Sequence, residues 1–146
     1  MRRLAASYAL VGMVLTAGCS AEPERPECID LPDTCSSQFP PGTVTFDILF
    51  NDILNRKCAT TGNCHASPQG GLDFTEVDRS FDLLVGNVGG KARVKTGGGL
   101  QNAECSELVV RTNDLGKQWS MPPGTPLDPP DRCAIRQWVE AGATRQ

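Results

Sequence analysis

The stretch CATTGNCHAS, Cys58 to Ser67, holds two cysteines and the only histidine of the chain. Five residues separate Cys58 from Cys64, and His65 follows directly. A Cys-x-x-Cys-His run marks covalent haem attachment, so this spacing is either a stretched form of that site or a small disulfide hoop beside an uninvolved imidazole. Three further residues must bulge out of the turn if the two thiols are to keep their places, and Gly62 makes such a bulge sterically feasible.

Working back to the start, Arg2 and Arg3 precede an apolar run from Leu4 to Leu15, and LTAGC ends it at Cys19. Charge order, length and small residues before a cysteine are those of a secretory signal over residues 1–18. The sequence around Cys19 resembles the lipobox of bacterial lipoproteins, which implies a lipidated Cys19 as the mature N-terminus and a membrane held through that anchor. Ser20 after it gives no inner-membrane retention charge, which favours the outer membrane of the cell envelope. The apolar run is too short for a dependable span. Removing residues 1–18 takes away two arginines and no acid, so the net charge of −3 becomes −5 and nothing points to nucleic acid.

Export sets the redox conditions, since exported thiols are oxidised or capped. Of the seven cysteines, Cys28, Cys35, Cys58, Cys64, Cys105 and Cys133 remain beside Cys19. They can form three disulfides, or two disulfides and a two-thioether haem site, and their number does not decide between these. Residues 19–41 are rich in Pro and Glu without helical or strand period, and read as a tether in which Cys28 and Cys35 close a short loop. Cys105 and Cys133 are then left to bridge two helices.

Residues 42–146 are of a size for one small domain, which buries a modest core and needs a staple or a cofactor. The expected fold class is mostly α. Phe46, Leu49, Phe50, Ile53 and Leu54 keep the spacing of a one-faced helix that ends before Cys58. A second helix is expected from Thr75, as cap, to Gly86, a third from about Glu104 to Thr112. Asp128, Pro129 and Pro130 start a fourth, with Ile135, Trp138 and Val139 inward and Gly142 beyond its end. Long Gly- and Pro-rich connections, 86–99 and 114–130, imply loops that wrap something. The GGK within the first lacks the spacing of a phosphate loop.

The order of pieces resembles the cytochrome c-like domains of secreted bacterial proteins, including the planctomycete type. The residues that carry it are Ile53-Leu54, Cys58…Cys64-His65, Gly70-Gly71-Leu72-Asp73-Phe74, Ser106-Glu107-Leu108, Met121-Pro122-Pro123 and Trp138-Val139-Glu140-Ala141-Gly142-Ala143, over roughly residues 45–143. The resemblance implies a haem c whose vinyl groups are held by Cys58 and Cys64, with His65 and Met121 as axial ligands of the iron, and Gly97 to Gly99 packed close to the ring. A thioether ligand favours the reduced state. Met121 and His65 are the only Met and His left after signal removal. The three residues added between the cysteines are a departure from the pattern and bear on recognition by the attachment machinery.

The function implied is single-electron transfer at the envelope with redox partner proteins, without catalytic residues. The alternative is a haem-free, disulfide-stapled lipoprotein of the same shape with a binding or structural role. A zinc or thiol-redox site fits the spacing poorly. No hydrolytic constellation is present, since a single histidine has no nucleophile and carboxylate arranged with it. Peroxidase-like turnover at a displaceable Met121 is the one enzymatic route.

Overall fold

The computed structural model describes residues 25–59, 65–66 and 71–146. The signal segment, Cys19, Cys64 and Gly70 lie outside the described residues. Every regular element among those described is helical. Helix α1, Phe46–Leu49, runs directly into a π-helix, Phe50–Cys58; α2 is Val77–Val85, α3 Leu100–Glu104, α4 Glu107–Asn113 and α5 Pro129–Glu140.

The first apolar stripe does bury the residues its spacing selected: Phe46, Leu49, Ile53 and Leu54 are fully buried. Thr45 caps α1, its hydroxyl accepting from the Ile48 amide. After one α-turn the backbone widens to π geometry, which changes where Arg56, Lys57 and Cys58 emerge. An α-period reading of the sequence contains no sign of that change.

Helix α2 starts later than the Thr75 cap implied. Asp73 occupies the turn instead, its carboxylate accepting from the amide and hydroxyl of Thr75, while Glu76 stands at the cap position. Gly86 ends the helix in the left-handed conformation, as expected. The single helix expected from Glu104 to Thr112 is two, α3 and α4, meeting at a corner. Buried Ser106 holds that corner, its hydroxyl accepting from the Lys95 amide and donating to the Asn102 carbonyl. Helix α5 matches the sequence reading from Pro129, and buries Ile135, Trp138 and Val139.

The core joins these faces. Trp138 packs on Phe46 with ring centroids 5.2 Å apart, and Phe81 meets Phe46 edge-on at the same separation. The indole N–H of Trp138 donates to the Thr144 carbonyl at 2.7 Å, so the ring is buried with its polar atom satisfied.

Two expectations about the cysteines are overturned. Cys28 is bridged to Cys105 and Cys35 to Cys133, so neither the short Cys28–Cys35 loop nor a Cys105–Cys133 bridge exists. The physical reason is that residues 28–39 lie along the domain. The Ile29 amide donates to Glu104 O, the Arg136 guanidinium donates to the carbonyls of Pro32 and Asp33, and Ser37 donates to Gln137 Oε1 at 2.7 Å. Leu31 and Phe39 pack against the core. This part of the presumed tether is a strap fastened across α3, α4 and α5.

The glycine run meets the end of a helix. A Cβ on Gly98 would stand 2.7 Å from the Glu140 carbonyl oxygen, and its φ is +75°. Gly98 therefore fits against the C-terminal end of α5, where only glycine has both the room and the conformation.

Candidate functional site

Bridging of Cys28, Cys35, Cys105 and Cys133 leaves Cys58 as the one free thiol among the described cysteines. It is the last residue of the π-helix, half-buried, and its sequence partner Cys64 lies outside the described residues. Burial pushes the thiol up to about 12, with the Asp131 charge adding to the effect and Lys57 opposing it. A thiol so held is protonated at neutral pH, the reverse of what a thiol-redox nucleophile requires.

His65 reaches the same region through Phe74. The Asn55 side chain, three residues before Cys58, donates to the Phe74 carbonyl at 2.9 Å. The Phe74 amide in turn donates to the His65 carbonyl at 3.0 Å, and the two rings lie 5.1 Å apart. Asn55 and Phe74 thus link the end of the π-helix to the imidazole. Nδ1 of His65 is buried without a hydrogen-bond partner among the described residues. Burial lowers the pKa of the ring, a backbone bond with Leu72 opposes this, and the positive charges of Arg111 and Arg93 lower it further. The neutral imidazole, the form that binds a metal, is the favoured one.

Met121 lies on the loop that follows α4. Its amide donates to the Arg111 carbonyl at 2.7 Å, just where α4 ends, and the Met121–Pro122 bond is cis. The Arg111 guanidinium donates to the Trp119 carbonyl, and the Trp119 indole donates to Asp114 at 2.8 Å. Arg111 therefore holds the loop bearing Met121 and also acts electrostatically on His65. Beyond Met121, Pro122, Pro123, Thr125, Pro126 and Leu127 face Lys57 and Asp128 across a groove of about 380 Å³. A larger groove of about 600 Å³ lies between Phe39, Asp52, Arg56 and Asp131. Neither groove is lined by Cys58, His65 or Met121 themselves.

Lys57 ties the end of the π-helix to the start of α5. It pairs with buried Asp131 and, at 3.5 Å, with Asp128, whose carboxylate makes no cap bond to its own helix. The end of the π-helix is therefore held twice, by Lys57 to α5 and by Asn55 to Phe74.

Behind His65 lies a charge cluster that the sequence reading did not single out. The Glu107 carboxylate is 5 % exposed and meets four cations, Arg93 and Arg111 at 2.9 Å, Arg25 at 3.2 Å and Lys91 at 3.6 Å. Burial works against its charge, but the Arg111 hydrogen bond and the charges of Arg93, Arg25 and Arg111 prevail and hold its pKa at about 2. The only hint in the sequence is a glutamate four residues before an arginine at the start of an apolar helix.

No group of three or more His, Cys, Asp or Glu side chains that would hold a metal ion by themselves occurs among the described residues. The Cys58 thiol and the His65 imidazole are linked through Asn55 and Phe74, and the loop bearing the Met121 thioether is joined to the His65 region through Arg111. No family model, curated protein or solved structure matches this chain.

Proposed function

We propose that the chain is an exported, lipid-anchored c-type cytochrome-like protein that passes single electrons to and from redox partners at the cell envelope. One observation carries this reading. The two disulfides account for Cys28, Cys35, Cys105 and Cys133, so the cysteines left over besides Cys19 are Cys58 and Cys64, which precede His65. Cross-pairing, which the cysteine count had left open, no longer competes for Cys58.

On this reading Cys58 and Cys64 hold the haem covalently, and His65 and Met121 supply the axial ligands. Bound there, the group provides a reversible one-electron couple. The chain's own part is positional and electrostatic. Phe74 and Asn55 fix His65 against the Cys58 turn, and Arg111 fixes the Met121 loop. Burial favours the neutral imidazole, the charges of Arg111 and Arg93 add to this, and Glu107 balances those charges in a buried place. Cys19 carries the lipid and residues 1–18 direct export.

A second reading, a haem-free shell closed by a Cys58–Cys64 disulfide, is favoured by the closed core. Phe46, Leu49, Ile53, Leu54, Leu84 and Ile135 are fully buried by protein alone. Colour separates the two. Protein from its native host is expected to show the visible bands of a six-coordinate c-type haem. Met121→Ala is expected to keep the colour, lower the reduction potential and admit peroxide turnover, because the thioether that favours the reduced state is gone. A colourless wild-type protein would overturn the proposal, as would a Met121→Ala variant of unchanged potential and spectrum for the role of Met121.

A further inference from the structure

The strap changes what a lipid anchor at Cys19 does. A free tether over residues 19–41 would let the domain tumble above the membrane. Cys28 is instead bridged to Cys105 at the α3–α4 corner, and Arg25 already contacts Glu107 at 3.2 Å. Five residues separate Cys19 from Arg25, six peptide steps in all. Whatever their conformation, they reach at most about 20 Å.

What surrounds that point is suited to a headgroup layer. Lys91 reaches the same Glu107 oxygen as Arg25, so the loop between α2 and α3 passes beside the chain's approach to the anchor. The Lys95 amide donates to Ser106, the neighbour of Cys105. The loop exposes Val88, one of two exposed large apolar side chains among the described residues, and the side chain of Lys91 is 49 % exposed. An apolar tip beside lysines is the chemistry of a segment that lies in a membrane interface. Glu27 and Asp30 are exposed on the strap nearby and oppose such an approach, while Asp82 is engaged by the Asn87 amide. The contact therefore falls to the loop rather than to the strap.

We infer that the loop from Asn87 to Lys95 rests on the anionic phospholipid surface to which the Cys19 lipid is anchored, so that the domain sits in one orientation with its α3–α4 corner toward the membrane. This rests on the lipoprotein reading above. The far end of the chain's contact network, the groove between Lys57 and Pro122–Pro126, belongs to a different loop and a different helix end.

The test is an amine-acylation footprint read by peptide mass. Full-length lipidated protein on vesicles containing anionic phosphatidylglycerol is compared with a Cys19→Ser form, with its signal removed, free in solution. Acylation of Lys91 and Lys95 is expected to fall by about five-fold or more on the vesicles, the change corresponding to roughly one favourable lysine contact each. Lys117, exposed on the Met121-side loop, is expected to stay unchanged. Equal reactivity of Lys91 and Lys95 in the two forms, or an equal fall at Lys117, would overturn the orientation. The same protection on vesicles of phosphatidylcholine alone would overturn the anionic partner. A protein whose intact mass shows no lipid on Cys19 would instead overturn the lipoprotein reading, and is recognised by mass before any footprint is read.

Discussion

Replacing Cys35 and Cys133 together by serine is expected to lower the unfolding free energy by about 4 kcal/mol. With Cys28–Cys105 still in place, the second bridge closes an effective loop of roughly 35 residues through the first, and the chain-entropy estimate for such a loop gives this figure. For a domain of this size the melting temperature should fall by on the order of 20 °C. The strap gives the variant a second signature. Once Cys35 is released, residues 32–40 keep the hydrogen bonds donated by Arg136, the one Ser37 donates to Gln137 and the packing of Phe39, while Ile29 and Leu31 stay bonded to Glu104 beside the intact bridge, and protease cleavage in 32–40 should precede cleavage of the helices. Urea unfolding and limited proteolysis check both. A loss below about 1 kcal/mol with an uncut strap would mean that the segment is held by its packing alone.

Glu107→Gln is expected to be comparably damaging, at about 3–5 kcal/mol, because the side chain stays the same size while Arg25, Arg93, Arg111 and Lys91 lose the charge that balances them. The same carboxylate predicts a pH dependence of definite sign. Its folded pKa of about 2 lies below its ordinary value of 4.5, so the folded state binds the proton less readily than the unfolded one. Stability from this group is complete above about pH 4.5 and is lost as pH falls toward 2, with a total of about 3 kcal/mol. The glutamine variant should therefore lose that part of the acid transition as well as its stability at neutral pH. Urea midpoints between pH 2 and 7 for both proteins measure this. A variant within 0.5 kcal/mol of wild type, on the scale of an ordinary surface change, would remove the cluster from any account of the fold.

Local signals explain which parts of the structure were legible. Asp128, Pro129, Pro130 and Gly142 mark α5 at both ends by backbone chemistry alone, and the helix lies where they put it. Gly86 likewise ends α2, because the left-handed turn there needs no knowledge of the rest of the chain. The apolar residues from Phe46 to Leu54 are buried as their spacing implied, but the change to π geometry after Leu49 leaves no trace in that spacing.

What depended on distant partners was not legible. Cys28 and Cys35 are seven positions apart in a segment without apolar period, which made a local loop the natural expectation. Their partners at Cys105 and Cys133 are chosen by the path of residues 28–39 across the helices, and that path is set by contacts such as Arg136 with Pro32 and Asp33. Within Gly97 to Gly99 the close approach is at Gly98, and the group that approaches it is the end of α5, a partner that a run of glycines does not name. In the candidate site, Cys58, His65 and Met121 were selected by residue type and order. The residues that hold them, Asn55, Phe74 and Arg111, act through backbone carbonyls and amides, and a sequence carries almost no signature of such bonds.

The central claim concerns Cys58 and Cys64, and the intact mass of the mature protein from its native host, measured after denaturation and full reduction together with a thiol count, tests it most directly. The account predicts a mass higher by one haem that survives this treatment, with four titratable thiols from Cys28, Cys35, Cys105 and Cys133 and none from Cys58 or Cys64. A mass without haem, with Cys58 and Cys64 appearing as two further thiols, would contradict it and leave the disulfide-stapled shell as the reading of this protein.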